Sequence, residues 1–154
     1  MDDDAFHAKR KQLLGAWTDY SRSRLSVLLK LAVSAELGVP GIAFTRSNRR
    51  IAQFEAEALR NAVRRMYTET QEALEDRGII ELTLFRGITA PYEVQSVLSS
   101  FTSSIRIARR FGKYGVVEEG IPAGRVFLWH EGPGWRNGRF GEQFEYVVLS
   151  EAPK

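Results

Sequence analysis

Glu145 is the residue whose type and position most invite chemistry. It sits in the stretch Gly141-Glu142-Gln143-Phe144-Glu145-Tyr146-Val147-Val148-Leu149, near the C-terminus. Phe144 to Leu149 reads as a strand, rich in aromatic and β-branched residues. Alternation puts Gln143, Glu145, Val147 and Leu149 on one face and Phe144, Tyr146 and Val148 on the other. Both faces are mostly apolar, so the strand is expected to be buried on both sides. A carboxylate on an inward face is costly unless it is paired or hydrogen-bonded, and that cost calls for a reason.

Two other stretches supply groups that answer it. The first ends Leu82-Thr83-Leu84-Phe85-Arg86-Gly87. Arg86 shares a strand face with Ile80, Leu82 and Leu84, a cation on an apolar face that mirrors Glu145. The two are read either as a buried ion pair or strand-end charges reaching water, or else Arg86 receives an anionic ligand. A guanidinium fork suits phosphate because it donates two parallel hydrogen bonds, and Gly87 lets a ligand approach the backbone. The second is Ser99-Ser100-Phe101-Thr102-Ser103-Ser104. A helix N-cap accounts for one or two of its five hydroxyls. The rest, beside an inward carboxylate, would hold that carboxylate in one rotamer. Trp135 and Phe140, in a Gly-rich loop with Arg136 and Arg139, are read as packing anchors or as recognition residues.

Elements of two kinds must position these groups. The first half reads helical. One helix is expected from Ala5 to about Tyr20, with apolar Phe6, Leu13, Leu14 and Trp17, and a second from Ser23 to Leu37, ended by Gly38 and Pro40. A third is expected from a cap at Ser47 or Asn48 to Arg77. Its Ile51, Phe54, Ala58, Ala62 and Met66 recur on one helical face, and Gly78 stops it. The second half reads as strands: Ile79 to Phe85, Gln95 to Phe101, Tyr114 to Glu118, Arg125 to Trp129 and the last strand. A short helix, Ser104 to Phe111, interrupts them. Helices first and strands after predict an α+β domain, not a βαβ array.

Composition narrows the function classes. The 154 residues suffice for one domain with a real core, with 44% hydrophobic and 27% charged residues. No apolar run approaches the roughly 20 residues that span a bilayer, and the acidic Met1-Asp2-Asp3-Asp4 does not read as a signal-peptide n-region. There is no cysteine and there are two distant histidines, His7 and His130, so neither disulfides nor a zinc site are expected. The net charge of +3, with clusters at Arg46/Arg49/Arg50, Arg106/Arg109/Arg110 and Arg136/Arg139, fits a soluble protein with an arginine excess or contact with an anionic partner.

In order, Arg86-Gly87 at a strand end, Ser100 to Ser104 before Ala108-Arg109-Arg110-Phe111, and Gln143-Phe144-Glu145 on a late strand resemble the Arg–Ser–Glu class of mono-ADP-ribosyltransferase toxins. The resemblance spans Leu82 to Leu149, and the helical first half is similar to the helices preceding the Arg strand in that family. The serine motif departs from the family's Ser-Thr-Ser, reading Thr102-Ser103-Ser104.

The resemblance implies an ADP-ribosyltransferase-like α+β fold, N-terminal helices followed by a split antiparallel β core. It implies a single catalytic domain over 1–154, mostly helical over 1–78 and mostly strands over 79–154. NAD would be the substrate, its nicotinamide–ribose bond broken and ADP-ribose passed to a macromolecular acceptor, with no metal. Glu145 would hydrogen-bond the ribose and stabilise the oxocarbenium-like transition state. Ser103 would orient Glu145, Arg86 would hold the phosphates, Gly87 would offer backbone to the nicotinamide amide and Phe111 (or Tyr114) would pack on that ring. Thr102 and Ser104 would complete the cofactor-binding set. Gln143 would position the acceptor, and Trp135, Arg136, Arg139 and Phe140 would recognise it. Gln two residues before the catalytic Glu disfavours arginine acceptors. It leaves asparagine-type protein acceptors, slightly favoured, and guanine in nucleic acids. The family further implies a bacterial or phage toxin or effector, acting in the cytoplasm of the producing or target cell, with an antitoxin or immunity protein as partner and no membrane partner. Two alternatives stay open: a non-enzymatic nucleic-acid-binding module, and an ADP-ribosyltransferase fold that has lost catalysis.

Overall fold

The computed structural model describes residues 2–19, 24–41, 55–89, 96–133 and 144–153, with the main chain alone at 16–19 and 24. Helices α1 (Asp3–Asp19), α2 (Arg24–Leu37) and α3 (Arg60–Asp76) come first. They are followed by β1 (Glu81–Gly87), β2 (Leu98–Thr102), the short helix α4 (Ile105–Phe111), β3 (Val116–Pro122), a 3-10 turn at Ala123–Arg125, β4 (Val126–Trp129) and β5 (Glu145–Leu149). The strands form one antiparallel sheet in the order β3-β1-β2-β5-β4. The α+β class read from the order of helices and strands is the observed one.

One buried cluster joins the helices to the sheet. Phe6 and Leu13 of α1, Leu29 and Val33 of α2, and Val63 and Met66 of α3 pack with Leu98, Leu128, Val147 and Leu149. A second lies on the other face, where Leu84, Phe101, Ile121, Val126, Tyr146 and Val148 meet Leu74 at the end of α3. Full burial of one such side chain contributes roughly 1.5–3 kcal/mol. Polar contacts orient the layers. Arg10 reaches Glu69 at 2.7 Å and Arg65 reaches Asp3 at 2.7 Å, clamping α1 to α3. Both guanidinium groups lie over the buried Phe6 ring, at 5.0 and 4.0 Å. Gln71 donates to the carbonyls of Ala123 and Val126, both at 2.9 Å, which fixes α3 along the start of β4.

Element boundaries shift by a few residues from expectation, β2 for example running Leu98–Thr102, and three of the shifts have a plain local cause. The described helix α3 starts at Arg60; residues 55–57 are helical, and Ala58 and Leu59 form a turn between them. There Ala58 N–H bonds Glu55 and Leu59 N–H bonds Ala56, each three residues back. Tightening from four-residue to three-residue bonds rotates the following face, so Ala56 and Leu59 are buried while Ala58, expected on the apolar face, is exposed. Ser47, Asn48, Ile51 and Phe54 lie outside the described residues. Next, β1 starts two residues late. Gly78 takes φ 68° and donates to Glu75, and Ile79 donates to Leu74. This paired closure of a helix end consumes Ile79 and leaves Ile80 84% exposed, so Ile80 does not join Leu82 and Leu84 in the core. Finally, β3 runs on to Pro122 through Gly120. It is an edge strand, where glutamates, glycine and proline are tolerated.

Candidate active site

One end of the sheet gathers the residues singled out in the sequence. The last residues of β1 and β2 and the first of β5 meet there. Register fixes their faces. Thr102 stands directly across from Glu145 in the β2–β5 ladder, and across from Phe85 in the β1–β2 ladder. Residues directly opposite in an antiparallel pair share a face. Phe85, Thr102 and Glu145 therefore point the same way. Both polar groups are buried, Thr102 at 7% and Glu145 at 6% exposure. The inward carboxylate expected from strand alternation is present. It is flanked along its own strand by Val147 and Leu149, which are fully buried.

Between β1 and β2, the described residues are joined in register at the single pair Phe85–Thr102, whereas β1 and β3 pair along seven positions. The sheet thus opens beside Thr102. The chain leaves β2 there. Ser103 N–H donates to the carbonyl of Phe144 at 3.3 Å, tying the exit of β2 to the entry of β5. Ser103 is exposed, and Thr102, not Ser103, holds the position across from Glu145. Thr102 Oγ1 accepts from Ser104 N–H at 3.1 Å, and Ser104 Oγ accepts from Ile107 N–H at 3.3 Å as the N-cap of α4. The hydroxyl run divides its labour: Thr102 stands across the ladder from Glu145, Ser103 is exposed and Ser104 starts the helix.

Gly87 lies against the backbone of α4. A Cβ there would meet the Ala108 carbonyl at 2.4 Å and the backbone of Gly112 and Phe111 at 2.7 and 2.8 Å. The missing side chain lets α4 lie against β1. Ile88 and Tyr114 then pair main chain to main chain, Tyr114 N–H to Ile88 carbonyl at 2.9 Å. Phe111 and Tyr114 are about half exposed, at 54% and 49%, beside this end of β1.

Arg86 follows Phe85 and so leaves the sheet from the face opposite Glu145. Its guanidinium carbon lies 5.6 Å from the centre of the Phe101 ring, on that opposite face. The ladders therefore do not bring Arg86 and Glu145 together as a buried pair. Arg86 borders a pocket of about 420 Å³ with Ser99, Phe101, Val117, Glu119 and Arg125. Arg125 in that pocket is held by Glu119 at 3.2 Å and by the Leu149 carbonyl at 3.0 Å. Burial draws the Arg86 guanidinium below its usual pKa, and nearby Glu119 opposes that shift.

A residue considered only as a metal ligand also belongs to this end. His130 N–H donates to the Glu145 carbonyl at 2.9 Å. Its ring stands edge-on to Phe144 and Tyr146, at 5.4 Å from each. Burial lowers the pKa of His130 below 6.5; Glu131 opposes this and Arg77 adds to it. Its position was readable from its place just after the apolar Val126–Trp129 run, at the end of a strand. Phe144 takes φ 50°, left-handed for a non-glycine, and is 45% exposed. Trp129 is 3% exposed, with its indole nitrogen lacking a hydrogen-bond partner among the described residues and Gly132 against it. Gln143, Trp135, Arg136, Arg139 and Phe140 lie outside the described residues. Among the described residues, no group of three or more His, Asp or Glu is arranged to hold a metal ion. No protein-family model, curated protein or solved structure matches this chain.

Proposed function

We propose that this chain is a mono-ADP-ribosyltransferase that uses NAD as substrate, with Glu145 as its catalytic carboxylate. The observation that carries the reading is Glu145 itself: a buried carboxylate on a five-residue strand, directly across from the Thr102 hydroxyl, where β1 and β2 part. A buried carboxylate is kept where its surroundings pair or hydrogen-bond it, and a carboxylate held in that way at the end of a strand is suited to stabilising a growing positive charge. The single register pair between β1 and β2 supports the split core that the resemblance implies. The chain order Arg86, Thr102–Ser104, Glu145 supports it again.

In this reading the glycosidic bond between ribose C1′ and nicotinamide breaks, and its electron pair leaves with neutral nicotinamide. Positive charge grows on the ribose. The Glu145 carboxylate hydrogen-bonds a ribose hydroxyl and stabilises that charge, an effect strongest where water is excluded. A lone pair of the acceptor forms the new bond to C1′ and the acceptor's proton passes to solvent. Thr102 takes the orienting role that the resemblance gave to Ser103. Arg86 keeps the phosphate role only if the dinucleotide reaches the face that carries Phe101. The acceptor is a macromolecule, and Gln143 disfavours arginine. A toxin or effector role, with a neutralising antitoxin or immunity protein, belongs to the same proposal.

The test is incubation of the chain with isotopically labelled NAD and a whole bacterial lysate, beside Glu145→Ala, with products split into protein and nucleic-acid fractions. Label in either fraction, lost in the variant, supports the transferase and gives its acceptor class. Full activity in Glu145→Ala, or no NAD turnover by the parent chain, sinks it. A non-enzymatic nucleic-acid-binding module is the second reading, favoured by the cations exposed along α4.

A further inference from the structure

Among the described residues, six arginines outside α4 form ion pairs, and those of α4 form none. Arg10 pairs with Glu69, Arg60 and Arg64 with Glu36, and Arg65 with Asp3. Arg77 pairs with Glu131, and Arg125 with Glu119. Arg106, Arg109, Arg110 and the following Lys113 are all exposed, and among the described residues none of the four forms an ion pair. The segment Ile105 to Gly115 contains no acidic residue. Four cations are thus concentrated on one helical turn and a half and the turn after it.

Two aromatic rings stand among them. Phe111 and Tyr114 are 54% and 49% exposed, and the Lys113 ammonium lies 5.7 Å from the centre of the Tyr114 ring. The platform is anchored to the sheet. Ala108 is buried, the backbone of α4 lies against Gly87, and Tyr114 is tied to Ile88 through the main chain. A solvated face would explain scattered charge. It does not explain like charges left together, which repel one another, beside rings left in water.

We infer that the α4 surface binds single-stranded nucleic acid. Guanidinium groups contact backbone phosphates, and exposed aromatic rings stack on unpaired bases. An acidic protein would match the charge but leave the rings without stacking partners. An anionic membrane would call for a broad apolar helix face, whereas α4 spans seven residues and turns Ala108 into the protein. The inference stands on this surface alone and does not depend on NAD turnover.

The test is fluorescence anisotropy of the full chain with an end-labelled mixed-sequence RNA of about 20 nucleotides, and its DNA counterpart, between about 50 and 200 mM salt. The parent chain should bind with a slope of log affinity against log salt of roughly −2 to −3, for three or four phosphate contacts on a single strand. Arg106→Ala/Arg109→Ala/Arg110→Ala should lose on the order of a hundredfold at the lowest salt, with the slope cut to between zero and about −0.7, the share of the remaining Lys113. Its circular dichroism and Tm should match the parent, since the three side chains are exposed and unpaired. Should it fail to fold, Arg109→Glu serves as the second variant and should weaken binding at least tenfold. Tyr114→Ala should weaken binding roughly five- to a hundredfold without changing the slope. Absent binding at low salt would overturn the inference, as would unchanged affinity in the arginine variants. Equal competition by a polyglutamate peptide, or binding to phosphatidylserine vesicles in place of the oligonucleotide, would overturn it too.

Discussion

Thr102 stands directly across the β2–β5 ladder from Glu145, and both are buried. One residue later the chain turns out of β2, and Ser103 is already in solvent. The hydroxyl nearest in register to the carboxylate is therefore a threonine's. Its Oγ1 also accepts from Ser104 N–H, which ties the side chain to the start of α4. A group so held can orient a carboxylate without moving with it.

Replacing Thr102 separates that role from packing. Thr102→Val keeps the shape and removes the hydroxyl. It should cost about 1 kcal/mol by leaving Ser104 N–H without its acceptor and, under the proposed transferase activity, lower kcat for NAD cleavage with KM little changed. Thr102→Ser should restore kcat. Ser103→Ala should leave both constants near the parent's. Steady-state NAD turnover and urea unfolding check this; a large kcat loss in Ser103→Ala with Thr102→Val active would reverse the assignment.

Gly87→Ala should destabilise the chain and disturb α4. The added methyl meets only backbone atoms, those of Ala108, Gly112 and Phe111, which cannot rotate aside. Overpacking of this kind costs roughly 1–3 kcal/mol. Urea unfolding measures the loss. Gly124→Ala is the control, because a Cβ there meets nothing within 4 Å, and its midpoint should stay close to the parent's.

The sequence carried most of this architecture wherever a local signal decided the outcome. Ser104 caps α4 and Gly78 closes α3 because hydroxyl acceptors and left-handed glycines act within a few residues. The inward face of Glu145 followed from alternation alone. The Ala58–Leu59 turn did not, because apolar residues on both sides of it fit one continuous helix. β3 ran past its expected end because its tolerance of Glu119, Gly120 and Pro122 depends on edge position, a property of the assembled sheet. Long-range register also hid the site's details. Nothing within Thr102-Ser103-Ser104 says which hydroxyl meets a strand more than 40 residues away, and nothing within β1 says that Arg86 leaves by the other face.

His130 makes stability depend on pH. Its folded-state pKa is lowered by burial, with Arg77 adding and Glu131 opposing. The unfolded chain therefore takes up a proton before the folded one does. The contribution is whole above about pH 6.5 and is lost as the pH falls through the lower folded value. Tm measured from pH 8 to 5 should fall more steeply in the parent than in His130→Gln, on the order of a degree or more. The carboxylates Asp3 and Glu36, with pKa values lowered by their arginines, act in the opposite chemical class but the same direction, and only below about pH 4.5. Parallel curves for parent and variant above that point would remove His130 as the cause.

Arg86 offers the sharpest separation of ligand from scaffold. It lies beside Phe101 on the face away from Glu145, in a pocket that also holds the Glu119–Arg125 pair. Arg86→Lys keeps the charge but loses the planar fork, which matters both for stacking on Phe101 and for bidentate phosphate contact. If the dinucleotide's phosphates reach this face, KM for NAD should rise about tenfold or more while Tm moves by no more than a few degrees. If Arg86 serves only the sheet, Tm should fall and KM should stay where it is. Measuring both in one variant, with Arg125→Lys alongside to report on the pocket's structural pair, distinguishes a phosphate site from a packed cation.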